Sequence, residues 1–269
     1  MVKQLGISRS GFHAWKKRMN SERKTKEREL TQTIREIHRA SRETYGSPRV
    51  FKQLKLQGVA VSRSRIERLM KKEEIRGKAR RKFKVTTQSD HKFPVAPDLV
   101  QRNFTPGEPN KIWATDITYV WTHQGWLFLA VVLDLFSRKV VGWSMNDSVN
   151  TDLTLNALKM AYATRNPGPG LIHHSDRGCQ YASSTYQLFL QSKSAVCSMS
   201  RKGNCWDNAV VESFFHSLKT EMIYSERFNT RNEAKAKIFD WIEVFYNRQR
   251  LHSTLGYMAP AQYEARSVA

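Results

Sequence analysis

Cysteine is scarce in this 269-residue chain, and a long uninterrupted apolar run is missing. Cys179, Cys197 and Cys205 are odd in number and lack the spacing of zinc ligands, so we interpret them as structural or incidental thiols in a reducing cytoplasm. The longest apolar run, Trp126 to Phe136, is broken by Asp134 and is shorter than the ~20 residues of a membrane span. No charged-then-apolar leader opens the chain, so we expect no membrane association.

Acidic residues are also in short supply. Lys and Arg number 45 against 24 Asp and Glu, which gives a net charge of +21. The excess is uneven, because residues 1–92 hold 27 basic against 9 acidic residues, a net of +18, whereas residues 93–269 hold 18 against 15, a net of +3. This asymmetry predicts a module that binds a polyanion such as DNA, joined to a nearly neutral domain.

The basic first third is predicted to be helical. Ser8 begins a short helix, Lys26–Ala40 carries a helical apolar stripe, Pro48 opens a third helix that ends at Gly58, and Ser62 caps a fourth. A helix, a glycine-containing turn and a basic helix form the helix-turn-helix pattern, whose second helix enters the DNA major groove. The alternative is a plain helical bundle with a solvated basic face. On the fourth helix the outward residues are Arg63, Arg65 and Arg68.

Residues 76–108 are predicted to be a linker, because basic residues are followed there by proline, glycine and polar residues. Two interpretations stay open for this segment. It either lies along DNA or serves only as a disordered tether.

Beyond the linker, β-branched and aromatic runs alternate with helical patterns, which predicts an α/β domain with an antiparallel edge. The first two strands are expected to be joined by a four-residue hairpin connection, from Thr122 to Gly125. The predicted strands are Ile112–Trp121, Trp126–Phe136, Val140–Met145, Leu171–Ser175 and Ala195–Met199. The predicted helices are Asp152–Arg165, Thr185–Lys193, a helix containing Val211 to Met222, and Asn232–Tyr246.

Three acids have distinctive positions in this domain. Asp116 and Asp176 lie sixty residues apart on predicted strands, and Glu212 lies near the start of a predicted helix. Taken singly, each acid is interpreted as a solvated surface charge. Brought together, three carboxylates would repel one another unless a cation lay between them, and their hard oxygen atoms suit Mg²⁺ or Mn²⁺. A pair of such ions is the standard device for in-line attack on a phosphodiester.

The sequence around these acids resembles a known family. Its core resembles that of DDE transposases and retroviral integrases, and almost the whole chain resembles the OrfB-type transposases of bacterial insertion sequences. The number of residues between Asp176 and Glu212, and a basic residue seven positions after Glu212, are also family features. The matching segments are Trp113-Ala-Thr-Asp116-Ile-Thr118, His174-Ser-Asp176-Arg-Gly178, Gly203-Asn-Cys-Trp-Asp207-Asn-Ala-Val-Val-Glu212-Ser-Phe-Phe and Tyr246-Asn-Arg-Gln-Arg250-Leu-His252-Ser-Thr-Leu255-Gly-Tyr257-Met-Ala-Pro260.

The resemblance implies a ribonuclease-H-like α/β catalytic core preceded by a small all-α helix-turn-helix domain. Residues 1–75 are then the DNA-binding region, 76–108 the linker, 109–225 the catalytic core and 226–269 a helical extension of that core. It also implies metal-dependent strand cleavage at the ends of an insertion sequence, followed by strand transfer of the freed 3′-OH into target DNA. The residues expected to be both catalytic and ligands of two Mg²⁺ or Mn²⁺ ions are Asp116, Asp176 and Glu212.

Three basic residues of the core are expected to contact DNA. Lys219 lies two helical turns beyond Glu212 and is expected to meet a phosphate; the alternative is a solvated lysine on an exposed face. Arg201 and Lys202 lie in a glycine-containing loop that either touches phosphate or is simply mobile and solvated.

Two neighbouring pairs have structural interpretations. Adjacent strand residues point to opposite faces, so His173 and His174 are predicted to lie one inward and one outward and not to ligate one ion. Asp207 or Asn208 is expected to cap the helix that carries Glu212.

Two other functions stay open at this point: a metal-dependent nuclease of the same fold, and a DNA-binding protein whose acids are idle. The resemblance implies double-stranded DNA as the partner, a homo-oligomer on DNA, and an upstream OrfA-type partner or fusion. The chain itself shows no leucine heptad run. The expected location is the bacterial cytoplasm, at the nucleoid.

Overall fold

The computed structural model of the protein describes residues 6, 8–17, 22–78, 94–201 and 205–268. The chain forms two compact units, residues 1–78 and residues 79–269. Lys202 and residues 79–93 of the predicted linker lie outside the described residues. None of the helices in the described ranges is long and apolar enough to cross a membrane.

The first unit is helical, as the sequence predicted. Pro48 lies in the first turn of the third helix, and the Ser62 side chain caps the fourth by accepting a hydrogen bond from the Arg65 N–H. The helices are α1 Arg9–Lys17, α2 Glu22–Ala40, α3 Ser47–Leu56 and α4 Arg63–Lys72. Aliphatic side chains with no exposed surface form the core that joins α2, α3 and α4: Ile34, Val50, Leu54 and Ile66.

The turn between α3 and α4 contains Gly58, whose φ of +76° lies in the left-handed region that favours glycine. After this turn, α4 presents basic side chains outward. Arg63 and Arg68 are exposed and Arg65 is half-buried. Arg63 Nε also donates a hydrogen bond to Glu67 Oε1 at 2.8 Å, so part of this basic face is internally paired.

The second unit is built on a five-stranded sheet, in the order β3-β2-β1-β4-β5. The first three strands are antiparallel, whereas β4 is parallel to β1 and β5 is parallel to β4. The predicted α/β order with an antiparallel edge is therefore confirmed. The strands are β1 Ile112–Thr122, β2 Gly125–Asp134, β3 Val140–Asn146, β4 Ile172–Ser175 and β5 Val196–Met199.

Helices cover both faces of this sheet. Ala130 and Val132 pack with Leu158 of α5 in one core, while Leu129 and Val131, which alternate with them on β2, also have no exposed surface. Helix α5 packs against β2 and β3, and α8 packs against β1. The helices are α5 Thr151–Arg165, α6 Cys179–Ala182, α7 Ser184–Ser192, α8 Ala209–Glu221, α9 Arg231–Asp240 and α10 Pro260–Val268.

The approach of α5 to β3 depends on Gly142. A Cβ atom at that position would lie 2.2 Å from the Ala157 carbonyl oxygen of α5. Any side chain there would push the helix away from the sheet, which explains a glycine inside a strand.

The predicted hairpin connection is wrong in length. Thr122 pairs with Gly125, and the Thr122 hydroxyl donates to the Gly125 carbonyl at 2.7 Å, so only His123 and Gln124 form the loop. Gly125 has a φ of +100°, a conformation that lets the chain reverse within two residues.

The predicted helix Asn232–Tyr246 is also wrong in part. The α-helix ends at Asp240, and Trp241–Tyr246 forms a π-helix in which the Asn247 N–H donates to the Ile242 carbonyl. An apolar stripe indicates a helix but does not distinguish i→i+4 from i→i+5 hydrogen bonding, so apolar periodicity does not predict the change. Helices α6 and α10 were not predicted.

Candidate active site

Asp116 lies on β1, and Asp176 directly follows the last residue of the neighbouring strand β4. Strands β1 and β4 run parallel in a register that pairs Ile112 with Ile172 and Ala114 with His174, a constant offset of sixty residues. Two residues further along, the same register brings Asp116 beside Asp176. Adjacent strands are about 4.8 Å apart, so the two carboxylates project from adjacent positions at the end of the paired segment.

The electrostatics agree with this placement. Burial, and then the negative charge of Asp176, raise the pKa of Asp116 well above its usual range, and Glu212 adds a smaller effect of the same sign. A hydrogen bond from the Ile117 N–H to Asp116 Oδ1 at 2.7 Å acts in the opposite direction. Asp176 Oδ1 accepts a hydrogen bond from the Gly178 N–H at 2.9 Å. The two aspartates therefore form a half-buried concentration of negative charge.

Tyr181 is a neighbour of the aspartate pair that the sequence analysis missed. Its hydroxyl lies 3.4 Å from the Thr115 hydroxyl. Burial, and then the charges of Asp116 and Asp176, raise the Tyr181 pKa well above its usual range. The phenol stays neutral beside the two acids. A lone tyrosine after Gln180 carries no motif, so no sequence signal marked it.

Glu212 is held by the packing of α8 against β1. Buried side chains fix one face of this helix, while Glu212 is half-buried and burial raises its pKa. At the start of the helix, Asn208 Nδ2 donates to the Thr115 carbonyl at 3.1 Å, directly beside Asp116. The buried side chains are Val211, Phe214, Phe215 and Leu218.

The three acids are near one another but do not form a closed ligand set. Among the described residues, no three His, Cys, Asp or Glu side chains are arranged so that they could hold one metal ion. The aspartate pair nevertheless fits a divalent cation chemically, because its oxygen atoms are hard ligands and their mutual repulsion would be relieved by positive charge.

The prediction that one of the adjacent histidines faces outward is wrong, because both are buried. Both faces of β4 are covered, because His173 contacts Tyr186 of α7 and His174 contacts the Asp207 carbonyl that precedes α8. His173 Nε2 lies 3.1 Å from the Tyr186 hydroxyl, and burial lowers the His173 pKa to about 3. His173 is therefore a neutral core residue.

His174 connects β4 to the segment that precedes α8. Its Nε2 donates to the Asp207 carbonyl at 3.1 Å, and its Nδ1 accepts from the Ser198 hydroxyl at 2.9 Å. This assignment of the two nitrogens is consistent with the Leu99 N–H, which donates to Ser198 Oγ at 2.9 Å. Burial lowers the His174 pKa, so the neutral imidazole positions the start of α8.

The expected helix cap is also corrected. Asn208 precedes α8 without capping it through its side chain. Asp207 instead accepts hydrogen bonds from Arg201 Nε at 2.9 Å and Arg102 Nε at 3.0 Å. The hydrogen bond from Arg201 lowers the pKa of Asp207 most, and the bond from Arg102 lowers it further, although burial acts to raise it. Asp207 is thus held by two guanidinium groups, and Asn208 is held by the Thr115 carbonyl, so neither side chain caps the helix. Arg102 and Thr115 are distant in the chain, and the sequence does not display these contacts.

Arg201 and Lys219 are the two described core residues for which DNA contacts were predicted. Arg201 is exposed, and its guanidinium is paired with Asp207. Lys219 is half-buried, and its Nζ lies 4.8 Å from the centre of the Tyr119 ring. Burial lowers the Lys219 pKa, while Tyr119 and Asp116 act against that shift. The alternative of a fully solvated Lys219 does not agree with this environment.

The far end of α8 is anchored by a buried ion pair. Arg250 donates to both carboxylate oxygens of Glu221, at 2.7 and 2.6 Å, and both side chains are buried. Tyr246 and Leu251, which flank Arg250, are buried as well. These contacts hold the segment around Arg250 against the end of α8.

Comparison with known families gives three matches along the chain. Residues 25–83 match an HTH-like domain. Residues 106–205 and 212–268 match two families that are both described as an integrase core domain. The HTH-like match includes α3 and α4, and the integrase matches include all three acids.

Whole-length relatives exist among bacterial insertion elements. A 31 kDa protein of insertion element IS600 from Shigella sonnei is 44% identical over 263 residues, which cover 98% of this chain and 97% of that protein. The transposase InsF for insertion sequence IS3A from Escherichia coli K12 is 40% identical over 271 residues, which cover 100% of this chain and 94% of the relative.

A solved structure shares the fold. A chain of the simian T-cell lymphotropic virus intasome, in complex with the PP2A regulatory subunit B56 gamma, aligns with a TM-score of 0.50 and 19% identity. The alignment covers 66% of this chain and 60% of that chain. At this identity the likeness concerns the fold alone, and together with the family matches it confirms the predicted ribonuclease-H-like core.

Proposed function

Since this chain belongs to the OrfB-type DDE transposases of bacterial insertion sequences, we propose that it cuts DNA at the ends of its element and transfers the freed 3′-OH into target DNA. The observation that supports this proposal is the parallel pairing of β1 with β4, because Asp116 and Asp176 follow the last paired residues at the same sixty-residue offset and their charges interact. Adjacent acidic oxygens, in a chain that also carries a basic helical unit, suit metal-dependent chemistry on a phosphodiester.

In this proposal Asp116 and Asp176 would hold two divalent ions, Mg²⁺ or Mn²⁺, and Glu212 would hold one of them. When bound, such ions lower the pKa of the attacking hydroxyl and stabilise charge on the phosphate. The protein supplies the fixed frame. Asn208 and His174 hold the start of α8 against β1 and β4, so that Glu212 stays beside the aspartates.

Both chemical steps are direct displacements at phosphorus. In cleavage, a water oxygen forms a P–O bond as the bond to the 3′ oxygen breaks, which leaves a 3′-OH and a 5′ phosphate. In transfer, that 3′-OH attacks a target phosphodiester, and the displaced 3′ oxygen of the target leaves with a proton. Neither step needs a covalent bond between DNA and a protein side chain.

DNA contacts are divided between the units. Residues 1–75 bind DNA through α4, residues 76–108 connect the two parts, residues 109–225 carry the chemistry, and residues 226–269 support the core. The basic side chains proposed to contact DNA are Arg63, Arg65 and Arg68 on the first unit, and Lys219, Arg201 and Lys202 on the second.

The partner is double-stranded DNA, both as the element's ends and as the target. We place the active form in a homo-oligomer on DNA, acting with an upstream OrfA-type protein or as a fusion with it. Its site of action is the nucleoid of the bacterial cytoplasm, where this substrate lies.

A strand-transfer assay tests the proposal. Duplex DNA from an element end, labelled next to its 3′-OH, is incubated with the full-length protein, plasmid and Mg²⁺. A transposase gives labelled strands joined to plasmid, which are longer than the substrate. Short cleaved strands without joined products would instead indicate a nuclease, and unchanged DNA with retained binding would indicate an idle DNA-binding protein.

A further inference from the structure

An exposed aromatic cluster lies at the tip of the β1–β2 hairpin. Trp121 is 56% exposed, Trp126 is 45% exposed and Tyr119 is 36% exposed. The Trp126 ring centre lies 4.9 Å from that of Trp121 and 5.1 Å from that of Tyr119, both in edge-on arrangements. Large aromatic side chains that remain exposed together on a folded domain mark a binding surface more often than single exposed residues do.

These rings line one side of a groove of about 650 Å³. The opposite side is formed by the 3₁₀ helix Ile223–Ser225, where Tyr224 is exposed, and by the residues up to Phe228. The His123 N–H donates to the Phe228 carbonyl at 3.0 Å, which ties this second side to the hairpin. We refer to this feature as the aromatic groove.

The charges in the aromatic groove favour an anion. Lys219 lies over the Tyr119 ring, and Arg227 is exposed at the rim. The groove also contains one carboxylate, Glu226, but Lys237 Nζ lies 3.6 Å from it and offsets its charge. Flat aromatic faces beside lysine and arginine match the two parts of a nucleotide, the base and the phosphate.

The size of the aromatic groove agrees with a small ligand. Its volume falls in the ~300–1,000 Å³ range of pockets that take single ligand groups. A stable protein interface buries roughly 800 Å² on each partner, which is far more than three or four rings present. A few stacked bases therefore fit the feature better than a second protein surface does.

The aromatic groove is continuous with the candidate active site through α8. Lys219 belongs to the groove, and Glu212 lies seven residues before it on the same helix. That separation is about 10.5 Å along the helix axis at ~1.5 Å per residue. Bases repeat every ~3.4 Å along a DNA strand, so the groove lies about three nucleotides from the bond at the active site.

We propose that the aromatic groove binds unpaired bases of the DNA end and stacks them on Trp121 and Trp126, while Lys219 and Arg227 meet their phosphates. The proposal rests on the proposed function for its substrate, DNA. It adds to that function a place where the strand end is held open. Because every base has a flat face, recognition by stacking tolerates any end sequence.

Binding measurements in EDTA test the groove without any cleavage. The probes are a short duplex with a single-stranded oligothymidine tail and the same duplex with an abasic tail of equal length, which has the same phosphates but no bases. The full-length protein is expected to bind the oligothymidine tail about tenfold more tightly than the abasic tail, with quenching of tryptophan fluorescence.

Substitutions assign that preference to the groove. Trp121→Ala and Trp126→Ala should bring the affinity ratio of the two tails close to one, whereas Trp121→Phe should retain most of it. Phe239→Ala is the matched control, since Phe239 is an exposed aromatic residue outside the groove, and it should leave the ratio unchanged. Melting temperatures confirm that each variant is folded.

Equal affinities for the two tails in the parent would overturn the proposal, and so would a parental ratio in both tryptophan variants. If the alanine variants instead dissociate an oligomer in sedimentation and keep the ratio, the surface is a protein interface. Asp116→Asn should keep the ratio. If the parent protein fails to transfer strands but prefers the oligothymidine tail, only the proposed function is contradicted. If the parent protein transfers strands but binds the two tails equally, only the proposal for the aromatic groove is contradicted.

Discussion

At the residue scale, Asp116 is destabilising in the metal-free protein. Burial and the neighbouring Asp176 raise its pKa in the folded state, so the folded protein binds a proton more tightly there than the unfolded chain does. The pKa of this aspartate in the unfolded chain is about 3.8. As pH rises from that value through the higher pKa of the folded state, the folded protein therefore loses stability. At pH values above the folded pKa the full cost remains, and a divalent cation between the carboxylates would remove it.

We expect Asp116→Asn to raise the melting temperature of the metal-free protein, because a neutral amide ends the repulsion with Asp176. Each kcal/mol of relieved repulsion corresponds to about 2–4 °C for a domain of this size. Mg²⁺ should raise the melting temperature of the parent more than that of the variant. Scanning calorimetry with EDTA or Mg²⁺ measures both effects. Asp147→Asn, at an exposed acid, is the control and should change neither; a variant that melts below the parent in EDTA would refute the repulsion argument.

Lys219 gives a second prediction at this scale. Lys219→Glu should strongly slow cleavage at the element end, because it places a negative charge where we propose a phosphate lies. Lys219→Arg should slow cleavage less, because the positive charge is kept although a planar guanidinium replaces the compact ammonium group. The cation–aromatic contact with Tyr119 contributes only about 0.5–1 kcal/mol, so melting temperatures should move little. Cleavage rates and melting curves for both variants decide the point.

The control for Lys219 is Lys159→Glu, the same charge reversal at an exposed lysine of α5. It should cleave like the parent. If Lys219→Glu also keeps parental cleavage, Lys219 makes no contact that matters to the reaction.

The three acids could be singled out from sequence because each lies in a distinctive motif. The partners of Lys219 and His174 could not be. Tyr119 comes close to Lys219 only through the packing of α8 against β1, and Ser198 reaches His174 only through the pairing of β4 with β5. Such contacts join residues that are far apart in the chain, and one sequence carries no signal of them.

At the scale of elements, α8 is fixed at both ends. Its start is held by the bond from Asn208 to Thr115, and its end by the bidentate pair between Glu221 and Arg250. Between these points, one face of α8 is buried in the core. The position of Glu212 is therefore determined by contacts between protein residues at both ends of the helix.

Breaking the buried pair should destabilise the second unit. Glu221→Gln leaves the Arg250 guanidinium buried without its counter-charge, which costs about 3–5 kcal/mol. Glu221→Gln combined with Arg250→Met should cost less than either change alone, because no buried charge is left. Denaturant unfolding followed by tryptophan fluorescence measures the series.

The matched control is Glu108→Gln, which breaks an exposed pair with Lys111 in the same unit and should cost no more than about 1 kcal/mol. If Glu221→Gln costs as little as the control does, the pair does not anchor α8.

The elements themselves were largely predictable, and their irregular parts were not. Alternating and periodic apolar residues mark every strand of the sheet and the helices α5, α7 and α8 within a few residues. The two-residue hairpin depends on the backbone of Gly125, and the π-helix depends on how Trp241–Tyr246 packs. Apolar periodicity reports which residues are buried, whereas hydrogen-bond patterns at turns and bulges follow from local geometry.

At the scale of the whole molecule, charge is separated from the candidate chemistry. Residues 1–92 carry +18 of the net +21, while the sheet with its acids lies in the part that carries +3. The helix-turn-helix prediction could be made from sequence because charge, glycine and capping signals coincide on α3 and α4.

This separation predicts how salt affects binding. Replacing Arg63, Arg65 and Arg68 with alanine should weaken binding to an arbitrary duplex and reduce the slope of log affinity against log salt by about 0.9 for each lost phosphate contact. Titrations over a range of NaCl concentrations measure the slope. The same change at three basic residues of the second unit, Lys159, Lys235 and Arg266, should alter the slope much less. Equal slopes for the two triple variants would contradict the charge map.

The central claim is that Asp116, Asp176 and Glu212 together carry metal-dependent chemistry on DNA. The most direct measurement is cleavage and transfer of labelled element-end DNA with Mg²⁺ by Asp116→Asn, Asp176→Asn and Glu212→Gln, with DNA binding measured in parallel and Asp147→Asn as the control. We expect each of the three variants to lose both reactions while DNA binding stays near the parental level, and the control to react like the parent. Near-parental cleavage by any one of the three would contradict the account, because that residue would then lie outside the active site.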